Sequence, residues 1–134
     1  MSFYTYYQNN SGGSFQVDHA SGVSQYVIIE AEWAELADER ANDIGLYFDS
    51  SIDCSCCGGR WGAAWEDDAE DEPLIYGEPA TSGGNRLGGW VTGPDTYIHY
   101  ADGRITSVTY SREGTATSVY YDSPVDLATN FEEN

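Results

Sequence analysis

The chain has 134 residues and a formal net charge of −18, set by 23 Asp and Glu against five basic residues, all of them arginine. That length suits one domain, 1–134, with a single core. A hydrophobic fraction of 40% with 11 Tyr, 4 Trp and 4 Phe excludes a disordered chain. The charge disfavours direct contact with nucleic acid or an anionic membrane, and no apolar run nears the length that spans a bilayer.

Taken in chain order, the aromatic "FYTYYQ" (3–8) predicts a strand, "NNSGG" (9–13) a turn, and "SFQVD" (14–18) a second strand that closes a hairpin with the first. "VSQYVIIEA" (23–31) is continuous and β-branched, which predicts a central buried strand. The period changes in "EWAELADERANDI" (32–44). Trp33, Leu36, Ala37, Ala41 and Ile44 share one helical face, while Glu32, Glu35, Asp38, Glu39 and Asp43 fill much of the other. Gly45 follows where a C′ glycine would end the helix. "LYFD" (46–49) reads as a further strand, giving a βαβ-like unit.

A cysteine loop (51–62) and an acidic loop (66–73) follow as excursions. The Gly-rich "TSGGNRLGG" (81–89) lacks the Gly-Lys-Ser/Thr ending of a phosphate loop. "TYIHY" (96–100), "ITSVTY" (105–110) and "TATSVYYD" (115–122) predict a β-meander, with Asp102-Gly103 as a two-residue hairpin turn. The tail "SPVDLATNFEEN" shows little periodicity. The fold class expected is α+β: a twisted, mainly antiparallel sheet with one main helix and a C-terminal β-meander.

All three cysteines fall in "DCSCCGGRW". The start "MSFYTYYQNN" has neither the basic nor the apolar region of a signal peptide, so a cytoplasmic setting is expected, where clustered cysteines serve as metal ligands more often than as disulfides. Cys54 and Cys57 form C-x-x-C followed by Gly58, the spacing that lets two thiolates reach one zinc ion. Cys56 is the candidate third ligand. His19 or His99, or a second molecule, could complete the shell, with His19, in a turn, the favoured choice. Buried free thiols are the competing reading. The glycines that follow argue against the helix a redox pair would want. Arg60 can offset thiolate charge, and Trp61 is expected to anchor the loop to the core.

The stretches "TYYQNNSGGSF", "YVIIEAEWAELADERANDIGLYFD" and "DCSCCGGRW" together resemble an uncharacterised family of small proteins encoded by tailed bacteriophages, over residues 3 to 76. The resemblance implies a context rather than a mechanism: a phage protein outside the virion, made in the host cytoplasm, where such proteins act on host machinery or host immunity.

Two functions of different class follow. The first is a non-enzymatic protein that binds and inhibits a host factor, in host takeover or anti-defence. Its carboxylates would imitate a phosphate backbone on a partner with a basic surface. The contacts expected are Asp67, Asp68, Glu70, Asp71 and Glu72, with Glu35, Asp38, Glu39 and Asp43 on the helix. The bland alternative for such a run is a solvated loop. The second function is a small-molecule binder that sequesters a nucleotide signal, with Tyr and Trp stacking on the base and Arg60, Arg86 or Arg104 holding phosphate. No nucleophile motif marks an enzyme, and no catalytic residue is singled out.

Overall fold

Val27, Ile28 and Ile29, all buried, form the middle of β2 (Tyr26–Ala31). Successive side chains on a strand point to opposite faces, so this run demands cover on both sides and a partner along each edge. The computed structural model, which describes residues 1–9, 15–48, 61–82, 91–111 and 114–132, supplies all of these. β1 (Ser2–Tyr7) pairs antiparallel along one edge, from Ser2 opposite Ala31 to Tyr7 opposite Tyr26. β5 (Thr96–His99) pairs parallel along the other, with Ile28 opposite Ile98. β6 (Ile105–Tyr110) and β7 (Ala116–Tyr121) continue as an antiparallel meander, giving the order β1-β2-β5-β6-β7. β3 (Leu74–Ile75) and β4 (Glu78–Pro79) form a separate two-stranded hairpin.

The two faces are covered differently. On one, α1 (Ala34–Asp43) lays Ala34, Ala37 and Ala41 against Tyr4, Tyr6, Val27 and Ile29, where small side chains let the helix approach the sheet closely. Further along the same face, α2 (Pro124–Glu132) sets Leu127 against Tyr97 and Ile105. On the opposite face, Ile75 and Ala80 of the small hairpin region cover Tyr26, Ile28 and Ile98. The turn of that hairpin places Tyr76 at φ +51, an unusual conformation for a residue with a side chain. Tyr7 holds it there, stacking on its ring at 4.7 Å and accepting its backbone N–H at 2.9 Å.

The α+β class, the central β2, the main helix and the C-terminal meander all stand as expected. α1 ends as its sequence signals: Gly45 lies at φ +114, and the Leu46 N–H reaches back to the Ala41 carbonyl at 3.0 Å. Four details differ. The segment 15–17 is not a strand; β1 pairs with β2, and the Gln8 side chain engages this segment through the backbone N–H and carbonyl of Gln16. Two apolar residues there cannot compete with the apolar surface that β2 offers. Residues 46–48 lie outside the sheet, because the parallel partner of β2 is the distant β5. The 99–105 hairpin has a three-residue loop between Tyr100 and Arg104, with Gly103 at φ +99. Finally, 124–132 is helical. Its signal was present in Ser123-Pro124: the Ser123 hydroxyl accepts the Asp126 N–H at 3.2 Å, and proline suits the first helical position. The predicted turn at 9–13 and the Gly-rich 81–89 lie largely outside the described residues.

Gly22 joins the helix face to the meander. It sits at φ +79, and a Cβ there would lie 2.6 Å from the His99 ring. Gly103 has a similar φ with open space around it. Gly103→Ala should therefore cost only the left-handed penalty of about 1–2 kcal/mol. Gly22→Ala should cost clearly more, because a packed ring must also move. Urea denaturation of the two variants measures the difference, and equal losses would contradict the close approach.

Candidate functional site

Trp33 occupies the N-cap position of α1 in an extended conformation, and its indole cannot cap. The cap comes from the acidic segment instead. The Glu66 carboxylate accepts the Ala34 N–H at 2.7 Å and the Tyr4 hydroxyl at 3.2 Å. One turn along the helix, a single oxygen of Asp38 accepts the Tyr6 hydroxyl at 2.8 Å and the Ala64 N–H at 2.9 Å. Burial, and then the neighbouring carboxylate, raises both tyrosine hydroxyls above the ordinary range, so both remain donors at neutral pH. Residues 64–66 are thus tied to β1 and to α1 together.

The rest of the acidic segment is held by its backbone. Glu66–Asp68 forms a 3-10 turn, closed by the Asp68 N–H on the Trp65 carbonyl at 2.9 Å and by the Asp68 carboxylate on the Trp65 N–H at 3.3 Å. Glu70 then pairs with Phe3 along the outer edge of β1, through N–H···O distances of 2.8 and 3.0 Å. Asp67, Asp68, Glu70, Asp71 and Glu72 are all exposed, as are Glu35, Glu39 and Asp43 on α1. Asp38 is half-buried and engaged, so its part in this surface is positional.

Two residues that the sequence reading did not assign to the surface stand among these acids. Trp33 is 49% exposed and Trp65 is 73% exposed. Each precedes one member of the Ala34–Glu66 hydrogen bond, which sets both indoles at the N-terminal end of α1. The sequence placed Trp33 on the buried helical face by period alone. The start of the helix at Ala34 puts it one residue outside, where the chain is extended.

Cys54, Cys56 and Cys57, with Arg60, lie outside the described residues, and so does Arg86. The chain leaves and re-enters the core on either side of them. Phe48 stacks on Tyr6 with ring centroids 5.9 Å apart, and Trp61, as expected, is buried, donating its indole N–H to Gln16 at 2.8 Å. His19 uses both ring nitrogens: Nε2 donates to the Thr92 carbonyl at 2.9 Å, and Nδ1 accepts the Tyr97 hydroxyl at 2.7 Å. A metal at His19 would have to replace one of these partners. His99 donates from Nε2 to the Gly22 carbonyl at 2.8 Å, and burial lowers its pKa, so the ring is neutral at neutral pH.

A cleft of about 190 Å³ opens at the other end of α1. Arg40 and Arg104 both line it, with His99, Tyr100 and an apolar wall. Nothing in the spacing of residues 40 and 104 announces this. Only the return of the meander beside α1 brings them to one place.

The two carboxylate ties make a testable set. Asp38→Ala strands two donors, one on a buried tyrosine, and should cost about 2–3 kcal/mol. Glu66→Ala removes a helix cap and should cost about 1–2 kcal/mol, with Glu66→Gln losing less because its amide oxygen still accepts. Asp67→Asn should stay within about 0.5 kcal/mol of the parent. Chemical denaturation gives all four values, and an Asp38→Ala variant as stable as Asp67→Asn would refute the tie.

A family model described as a domain of unknown function, DUF7296, matches residues 1–122, which takes in every strand among the described residues and α1 and stops short of α2. No curated protein and no solved structure matches the chain. Since the match spans nearly the whole sequence, the chain belongs to the DUF7296 family.

Proposed function

We propose that this is a non-enzymatic accessory protein of a tailed bacteriophage that works in the host cytoplasm, binding and inhibiting a host factor that presents a basic surface. The observation that carries the reading is the pair of exposed tryptophans, Trp33 and Trp65, held inside a fixed field of carboxylates. An acidic run alone serves solubility equally well. Tryptophan does not: exposed indoles are costly in water, and they are among the commonest anchors of protein interfaces. Indole faces also attract arginine and lysine, so the two features select the same kind of partner. Among the described residues, no helix is long and apolar enough to cross a membrane, which accords with a partner met in solution.

The test starts from a partner captured from host lysate and then purified. Affinity should fall steeply with salt, since exposed charges are screened over about 8 Å at physiological ionic strength. Replacing Asp67, Glu70, Asp71 and Glu72 by their amides should mainly slow association. Glu66 and Asp68 are kept, because they hold the segment itself. Trp65→Ala should speed dissociation by about tenfold or more. A partner indifferent to salt, to the amide set and to Trp65→Ala would end the reading.

The same reading gives the cysteine segment a structural zinc held by Cys54, Cys56 and Cys57, with His19 as fourth ligand. It is supported by the C-x-x-C-G spacing and by the core anchors Phe48 and Trp61 on either side. Protein purified without chelator should carry about one equivalent of zinc, and removing it should release three titratable thiols and lower the melting temperature. Metal-free protein with the same melting temperature and three free thiols would refute it.

A further inference from the structure

We propose that the cleft between α1, the β5–β6 turn and the start of α2 is a second binding site, one that takes a small organic monocarboxylate through Arg40 and Arg104. It lies at the opposite end of α1 from the two tryptophans. The ten residues of α1 separate it from the tryptophans by about 15 Å.

Arg40 carries the argument. It is one of five cations in a chain with 23 carboxylates, it is half-buried, and it lines the cleft. Yet among the described residues it makes no ion pair, although Asp43 lies one turn further along the same helix. A half-buried guanidinium without an ion pair amid so many acids is a group with a vacant partner. Arg104 is positioned beside it. Its Nε donates to Asp102 at 2.8 Å and its guanidinium lies 5.1 Å from the centre of the Tyr100 ring, which leaves the terminal N–H groups available.

Charge and size narrow the ligand. Arg104 is already paired with Asp102, which leaves Arg40 as the guanidinium of the cleft without an ion pair among the described residues. One negative charge can be accepted here; a second has no counterpart. His99 adds none, being held neutral. The wall of Ile29, Ile44 and Ile105 asks for an apolar body. A cavity of about 190 Å³ is somewhat larger than the roughly 150 Å³ that holds benzene and well below the several hundred usual for a drug-sized ligand. A ring or branched chain with one carboxylate fits, and a nucleotide does not.

Benzoate is the probe, titrated into the full chain at low salt and followed by amide NMR and calorimetry. The expected result is saturable binding with Kd on the order of 1 mM, and shifts centred on residues 40–45 and 100–105. Benzamide, the same shape without charge, should bind at least about tenfold more weakly, and so should phenyl phosphate with its second charge. Arg40→Ala should lose benzoate by a similar factor while keeping the parent melting temperature, and Arg40→Lys should restore part of the affinity. Arg104→Ala gives an independent loss should Arg40→Ala fail to fold. Non-saturable or scattered shifts, benzamide or phenyl phosphate binding as well as benzoate, or both alanine variants binding like the parent would each overturn the proposal.

Discussion

The placement of the acidic segment depends on two carboxylates that face inward. Glu66 caps α1 from a site 32 residues away in sequence, and Asp38 receives β1 and the chain at Ala64 on one oxygen. Each joins three segments that lie far apart in sequence. A helix that starts at tryptophan has no cap of its own, and its first N–H groups would otherwise need water. The segment 64–66 is therefore part of the frame. Whatever the neighbouring acids do, they do from fixed positions.

This explains why a residue poorly suited to an N-cap stands there. Serine or aspartate at position 33 would cap α1 locally and free the helix from the acidic segment. Tryptophan does the reverse: it obliges the helix to take its cap from Glu66 and turns its own ring to solvent. Local rules tend to be broken where function sets the residue. The same contrast divides the charges. Carboxylates crowd the exposed side of α1 and the 66–72 segment, while Arg40 and Arg104 meet at the far end of the helix. The acidic surface and the arginine-lined cleft give one molecule two sites of different chemistry.

What could be read from sequence was local in origin. The period of 32–44, the glycine after it, the β-branched run of β2 and the Asp-Gly turn are each written within a few residues, and each stands within one or two positions. The hairpin assigned to 3–8 and 14–18 failed because strand pairing is a competition, and β2 presents a longer buried surface than Phe15 and Val17 can. The parallel β2–β5 pairing joins residues about 70 apart, and no local pattern encodes it. α2 was legible in its Ser-Pro start but was overlooked for want of a strong apolar stripe. The surface was half visible. Composition identified the acids, but the exposure of Trp33 and Trp65 and the meeting of Arg40 with Arg104 exist only once the chain has folded.

The acidic segment also does a second structural task, and that limits how a partner can use it. β1 is an edge strand of aromatic residues, the kind that invites pairing with another chain. Glu70 occupies the backbone groups of Phe3, and the Thr5 hydroxyl donates to the Leu74 carbonyl at 2.7 Å, so the segment from 66 to 76 lies along that edge. Drawing it away would uncover the edge, uncap α1 and strand the Tyr4 hydroxyl. Such a cost in buried hydrogen bonds exceeds what exposed charge pairs return in water. A basic partner therefore gains by docking onto the segment as it lies, against rings and carboxylates already in place, and the interface needs little rearrangement of this chain to form.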